Sequence, residues 1–294
     1  MSEALNAYLA EKKEWFDDQL PKLFKHLSIT QKLKNAMLYS IKAGGKRIRP
    51  ILLFATLHSF GRDEKIGLKT ALGLEMIHTY SLIHDDLPAM DNDTLRRGQP
   101  TNHVVYGDGT AILAGDGLLT AAFQMIADDQ SLDAAVRVAL IGRLAKSAGP
   151  EGMVGGQEDD LEAEGKVLHL EELMSIHKRK TGALIRFPVE AAAVIAEATE
   201  VQTEALIRYS EHLGLAFQIG DDILDVIGNE QALGKTIGSD LANNKNTYVS
   251  LLRVDGAKEK LAQEVEQALA NLKELGFEDG LLGDLARYLE KRTH

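Results

Sequence analysis

Leu72-Gly73-Leu74-Glu75-Met76-Ile77-His78-Thr79-Tyr80-Ser81-Leu82-Ile83-His84-Asp85-Asp86-Leu87-Pro88-Ala89-Met90-Asp91 is the stretch around which the chain is organised. From Leu72 to Ile83 it is a strongly apolar run with helical spacing. It then turns abruptly to three carboxylates and a helix-breaking proline, with Asp93, Arg96 and Arg97 directly after. Such a sequence suits a core helix poorly and a metal and phosphate site well.

Two adjacent carboxylates at a helix end repel each other unless a cation sits between them, and hard divalent cations prefer such oxygen ligands. Mg²⁺ is commonly held by one or two carboxylates while substrate phosphates fill the remaining positions. One Asp cluster alone reads more readily as a solvated, acidic helix end. On an ideal helix Asp85 and Asp91 point about 240° apart, so they share a site only if the helix breaks. Pro88 supplies the break, which predicts a bulged extension over 87–91 that returns Asp91 to the Asp85-Asp86 pair.

The rest of the chain extends the helical pattern. Among 294 residues, 45% are hydrophobic, 26% charged and only 5% aromatic, and Ala, Leu, Glu and Lys dominate most windows. Apolar positions recur at three- and four-residue spacing, so the fold class is all-α. Only six prolines occur and no Ser/Gly-rich or Pro-rich linker interrupts the pattern, so residues 1–294 read as one domain. The absence of cysteine excludes disulfides, thiolate nucleophiles and Cys-ligated metals. Met1 to Phe16 is charged and amphipathic rather than signal-like, and no run approaches the roughly 20 apolar residues of a membrane span. The default location is therefore the cytoplasm. A net charge of −11 argues against a nucleic-acid surface, although bound cations can still reverse the local field for an anionic ligand.

In chain order, helices are expected over 3–27 with Pro21 as a kink or break, then over 30–42, 50–60 and 66–84. Further helices are expected over 110–127, 131–148 and 152–165, then 170–198 and 201–227, with two amphipathic helices closing the chain. Gly44-Gly45-Lys46-Arg47-Ile48-Arg49-Pro50 places three cations in four residues, between flexible glycines and a fresh helix. Cations oppose the dipole at a helix start, so an anion there explains them, although a solvated basic turn explains them equally well. His78 lies two turns before Asp85 on about the same face, with Tyr80 and Ser81 about one turn before it. Gln157 and Asp160 share a face. Lys180-Thr181-Gly182 in mid-helix is locally costly, which a kink turning Lys180 and Thr181 inward would explain.

A second aspartate cluster, Asp221-Asp222-Ile223-Leu224-Asp225, follows Gln218 by one turn, and Lys235 and Lys245 lie downstream. Asp221 and Asp225 share one helix face. Two facing carboxylate clusters in a helical core, with Lys and Arg around them, are what binding a diphosphate through bridging Mg²⁺ requires.

In these motifs, from about Gly44 to Tyr248, the sequence resembles the trans-isoprenyl diphosphate synthases, and among them the bacterial farnesyl diphosphate synthases. The resemblance implies a single large helical bundle with a central active-site cavity and a homodimer. It implies three Mg²⁺ ions, with Mn²⁺ as a substitute, held by Asp85, Asp86 and Asp91 on one side and Asp221, Asp222 and Asp225 on the other. Lys46, Arg49, His78 and Arg97 match positions that bind the diphosphate of isopentenyl diphosphate. Arg96, Lys180, Lys235 and Lys245 match positions contacting an allylic diphosphate, dimethylallyl or geranyl. Thr181 and Gln218 match residues beside the reacting centre, and Gln157 and Asp160 match the Gln-x-x-Asp segment next to it. Lys291 and Arg292 match the family's basic tail only loosely and are given no role.

The implied reaction is ionisation, condensation and elimination, giving farnesyl diphosphate (C15). The aromatic Tyr80 and small Ser81 resemble the C15 pattern, and geranylgeranyl or other short-chain synthases of the same fold are the alternative. The residues admit two other classes. Glu75-Met76-Ile77-His78 has the Glu-x-x-His form of helical di-iron sites, yet no second copy occurs. A non-catalytic helical regulatory subunit would be expected to have lost part of the catalytic pattern.

Overall fold

The computed structural model describes residues 3–25, 28–227 and 246–291. Among them the helices are α1 (Glu3–Asp17), α2 (Gln31–Lys42), α3 (Ile48–Ser59), α4 (Leu68–Asp85), α5 (Asn102–Tyr106), α6 (Asp108–Ala127) and α7 (Ala134–Ala148). They continue with α8 (Met153–Glu162), α9 (Leu170–His177), α10 (Ala183–Ile195), α11 (Glu200–Ile227), α12 (Tyr248–Lys273) and α13 (Leu281–Lys291). The sheet content of the described residues is one hairpin, β1 (Leu95–Arg96) against β2 (Gln99–Pro100). The all-α expectation holds.

Two apolar cores fill the bundle, and α3 and α10 belong to both. Leu53, Phe54 and Leu57 of α3 pack into the core built around α4, α6 and α7, whereas Leu52 and Ala55 face the core built around α11, α12 and α13. In α10 the set Leu184, Phe187 and Ala191 faces the first core, and Ile185, Val189 and Ala193 the second. Each set follows the three-to-four spacing of one helical face. This explains why both helices are apolar nearly all round.

Several features differ from the sequence reading. The first helix ends at Asp17, and Pro21 sits in a separate 3₁₀ turn over Leu20–Lys22, where its missing N–H costs little. The helix expected over 170–198 is interrupted by a π-turn at Lys178–Gly182. Segment 108–127 is, by length and composition, apolar enough to cross a membrane, contrary to expectation. In this fold α6 lies along α4 and puts Ala111, Ala114, Leu118, Ala122 and Ile126 into the core.

Candidate active site

The helix break expected at Pro88 is present. α4 stops at Asp85, and the chain then folds back so that the Asp91 N–H donates to the Asp85 carbonyl at 2.9 Å. Asn92 closes the turn in a left-handed conformation (φ 53), its N–H donating to the Leu87 carbonyl at 3.1 Å. Asp85 and Asp91 thereby face one cavity. Burial pushes the Asp85 carboxyl up to about 6; Lys180 opposes that shift and Asp91 adds to it. Asp86 turns elsewhere. It is 3% exposed and outside the cavity lining, and it accepts from Arg96 Nε at 2.7 Å and pairs with Arg96 Nη2 at 2.6 Å.

Arg96 and Arg97 part company at the hairpin. Register Arg96↔Gln99 leaves Arg97 and Gly98 as a two-residue loop, and both have positive φ (53 and 75), the type I′ pattern. The guanidinium of Arg96 lies against Asp86, whereas Arg97 donates to the Gly44 carbonyl. Gly45 (φ 126) admits this approach, because a β-carbon there would come within 2.7 Å of Arg97 Nη1. Hydrogen bonds through two residues, Tyr39 and Asn102, anchor the hairpin and the start of α5 to α2. Tyr39 donates to the Pro100 carbonyl at 2.7 Å, and Asn102 Nδ2 donates to the Ala36 carbonyl at 2.9 Å.

Lys46 and Arg49 reach the same cavity from the glycine turn, which enters α3 at Ile48 rather than at Pro50. Arg49 Nη1 lies 3.3 Å from His78 Nε2, and Arg49 Nε is buried with no hydrogen-bond partner. Burial, reinforced by Arg49 and Arg97, drives the His78 pKa far down, so its imidazole is neutral. An uncharged ring can accept from one arginine without adding charge to the cluster. The di-iron alternative loses its ligands here, because Glu75 accepts from Arg47 and His78 lies against Arg49.

The opposite wall comes from the π-turn and α11. The extra residue in that turn carries Lys180 and Thr181 into the lining. Gly156 of α8 lets the turn approach, since a β-carbon on it would lie 2.3 Å from the Lys180 nitrogen; a β-carbon on Gly214 of α11 would lie 3.1 Å from the Gly182 α-carbon. Lys180 Nζ pairs with Asp160 at 2.5 Å. Thr181 donates to Gln218 Oε1 at 3.1 Å, and Gln218 Nε2 donates to Asp222 Oδ1 at 2.9 Å. The other Asp222 oxygen accepts from the Tyr248 N–H at 2.8 Å. A carboxylate can only accept, so this chain fixes the Gln218 amide with its oxygen beside Thr181.

Together these elements enclose a cavity of about 690 Å³. It gathers Asp85, Asp91, Asp221 and Asp222 with Lys46, Arg49, His78, Arg96, Arg97 and Lys180, and with Thr181, Gln218 and Asp160. Asp86, Asp225, Gln157, Tyr80 and Ser81 stand outside the lining; Asp225 is 2% exposed. Tyr80 is buried with its ring edge-on to His84 at 5.7 Å, and Ser81 Oγ donates to the His78 carbonyl. Lys235, Lys245 and Arg292 lie outside the described residues. The sequence reading missed His177, Phe217, Asn246 and Thr247, and it noted Arg47 and Glu75 without assigning either to this site; all six are in the lining. His177 sits one turn before Lys180, a spacing that could have identified it. Burial lowers its pKa to about 4.

The donor set is one of hard oxygens, the chemistry that Mg²⁺ and Mn²⁺ take. Among the described residues no three carboxylates or imidazoles already form a cage. Carboxylates on two separate elements around one cavity fit an ion that completes its shell with ligand phosphate oxygens.

A family model described as polyprenyl synthetase matches residues 30–276. The chain is 52% identical over 293 residues to the farnesyl diphosphate synthase of Geobacillus stearothermophilus, covering 99% of each. The crystal structure of an FPP/GFPP synthase from Zymomonas mobilis superposes with a TM-score of 0.87 at 36% identity, covering 99% of this chain and 100% of that one. A geranyltransferase from Helicobacter pylori, complexed with magnesium and isoprenyl diphosphate, gives 0.84 at 33% identity over 99% and 98%. With a match across most of its length and this site at its centre, the chain belongs to the polyprenyl synthetase family.

Proposed function

We propose that the protein is a prenyltransferase that condenses isopentenyl diphosphate with dimethylallyl or geranyl diphosphate to give farnesyl diphosphate and diphosphate. The observation that carries this reading is one cavity lined both by carboxylates, Asp85, Asp91, Asp221 and Asp222, read as its acidic half, and by cations, Lys46, Arg49 and Arg97, read as its cationic half. A single anionic ligand would need only one of them. The acidic half suits an allylic diphosphate held with Mg²⁺, and the cationic half suits a second diphosphate bound directly by charge. A terpene cyclase, which takes one diphosphate, has no use for the second half.

Mg²⁺ held by these aspartates would supply Lewis-acid stabilisation to a departing diphosphate. Lys180, at the rim of the acidic half, and Arg96 add fixed positive charge there. The allylic C–O bond breaks, its electron pair leaving with the diphosphate. The Gln218 and Thr181 oxygens then face the allylic cation with their negative dipole ends. The double bond of isopentenyl diphosphate attacks that cation, and a proton passes to the released diphosphate, restoring neutrality in the product. Burial and the neighbouring arginines hold the His78 pKa far down, which makes it a poor proton acceptor, and its ring is engaged near Arg49, so it acts as a binding group rather than a base.

The reading extends to the whole protein as one domain in the cytoplasm, acting as a homodimer. Leu95, Val104, Val105, Ile112 and Leu113 are exposed apolar residues on β1, α5 and α6, and a second copy is the occupant that suits such a face. Light scattering is expected to give twice the 32.1 kDa chain mass, and a mass of one chain would remove the dimer. The activity is tested by incubation with Mg²⁺, isopentenyl diphosphate and either primer, followed by dephosphorylation and chromatography. A C15 prenol is expected; no condensation with either primer would refute the assignment.

A further inference from the structure

Of the three cations in the turn before α3, the middle one behaves differently. Arg47 is 4% exposed, and its backbone is left-handed (φ 52), a conformation that a residue with a β-carbon keeps only where its surroundings dictate it. Those surroundings are three acceptors on three helices. Nε donates to Asp17 Oδ1 at the end of α1 at 2.8 Å, Nη2 to the Ile41 carbonyl near the end of α2 at 2.7 Å, and Nη1 to Glu75 on α4. Glu75 is itself 3% exposed.

Glu75 and His78 are three apart on α4 and so share a face. Glu75 takes Arg47, and His78 meets Arg49. Two residues of α4 therefore seat two arginines two positions apart, Arg47 at the end of the turn and Arg49 in the first turn of α3, and fix where the chain crosses α4 as it enters α3. Lys46 precedes the first of these anchors, and Arg49 is the second. A third tie comes from the hairpin, where Arg97 donates to the Gly44 carbonyl of the same turn. Glu75 also opposes the lowering of the Arg49 and Arg97 pKa values by burial, which links it electrostatically to both.

We propose that Arg47 and Glu75 are a positioning pair for the cationic subsite, acting through the turn backbone to hold Lys46, Arg49 and Arg97 in the spacing that a diphosphate requires. The inference rests on the reading of that subsite as the isopentenyl diphosphate site. A pair that merely stabilises the fold would affect both substrates alike. A positioning pair affects one, because the acidic half is built on α11, the π-turn and the end of α4.

Steady-state kinetics of the full protein with Mg²⁺, isopentenyl diphosphate and geranyl diphosphate separate these cases. Glu75→Gln keeps shape and an acceptor while removing the charge, and Arg47→Met with Glu75→Met replaces the buried pair by apolar side chains of similar size, a change that folds tolerate. Glu75→Gln is expected to melt lower, because it leaves Arg47 with Asp17 as its remaining counter-charge, and the double variant to melt near the wild type. Both are expected to raise KM for isopentenyl diphosphate about 10- to 100-fold, with KM for geranyl diphosphate within about twofold. The double variant decides the matter if the single one fails to fold. Native melting together with a native KM for isopentenyl diphosphate, or an equal rise in both KM values, would overturn the proposal. Arg49→Ala is the control on the underlying reading. If it leaves KM for isopentenyl diphosphate unchanged, the subsite assignment falls, and the positioning role with it.

Discussion

Asp85→Asn is expected to lower kcat/KM about 10³-fold while leaving the metal-free protein folded and, at neutral pH, more stable than the wild type. The two effects share one cause. Asp85 is held at the end of α4, with Asp91 folded back beside it and little solvent to disperse the charge. Its carboxyl is pushed up to about 6 by that burial, with Lys180 compensating only in part. An ionised group whose folded pKa lies about two units above its unfolded value costs the folded state about 3 kcal/mol once both states are deprotonated. Asparagine has the same shape and no charge, so that cost disappears, and with it the main reason for a cation to bind.

The sign of the pH dependence follows. Between about pH 4 and 6 the folded protein holds a proton on Asp85 that the unfolded chain has released, so lowering the pH through 6 stabilises the metal-free wild type through this group. Mg²⁺ competes for the same oxygens, so its affinity should fall as the pH drops below 6. Thermal melts with and without Mg²⁺ across this range check both statements. An Asp85→Asn protein with wild-type turnover, or one whose melting still gains from Mg²⁺ as the wild type does, would contradict the role given to this carboxylate.

Tyr80→Ala is expected to change the product itself, from C15 toward C20. Tyr80 lies five residues before Asp85 and is 6% exposed, with its ring edge-on to His84. A hydrocarbon tail whose diphosphate is held at Asp85 grows toward the interior of the bundle. Tyr80 stands outside the cavity lining, and its phenol is the barrier expected in that direction. Replacing a buried aromatic side chain by a methyl group costs about 3–5 kcal/mol, so the variant should melt lower as well. Chromatography of the dephosphorylated prenols separates the outcomes. A product that stays at C15, in a variant that still turns over, would show that Tyr80 is packing and not the floor.

The helices around α4, and the two aspartate clusters, were legible in the sequence because both depend on local spacing. Apolar residues at three- and four-residue intervals specify a helix wherever it packs, and a proline three residues after Asp85 specifies a break. The break at Asp17 and the π-turn were less legible. Pro21 marked the first without fixing which residue ends the helix. Lys180-Thr181-Gly182 signalled a kink, but its form depends on Gly156 and Gly214 of other helices coming close. Least legible was the division of labour among like residues. Lys46, Arg47 and Arg49 look equivalent in a basic turn, yet Arg47 is buried and bound on three sides. Asp85 and Asp86 look like a pair, yet one faces the cavity and the other is held by Arg96. Which side of a turn is buried is decided by elements distant in the chain, and no local pattern encodes it.

The central claim is that one cavity holds two diphosphates by two different means, carboxylates with Mg²⁺ for one and direct cationic contact for the other. Calorimetric titration tests it most directly, using isopentenyl diphosphate and an allylic thiolodiphosphate whose C–S bond resists ionisation, each with and without Mg²⁺. Binding of the allylic analogue should be lost when Mg²⁺ is removed, binding of isopentenyl diphosphate should survive, and the two together should saturate at one of each per chain. Competition of the two ligands for a single site, or equal dependence of both on Mg²⁺, would contradict the account.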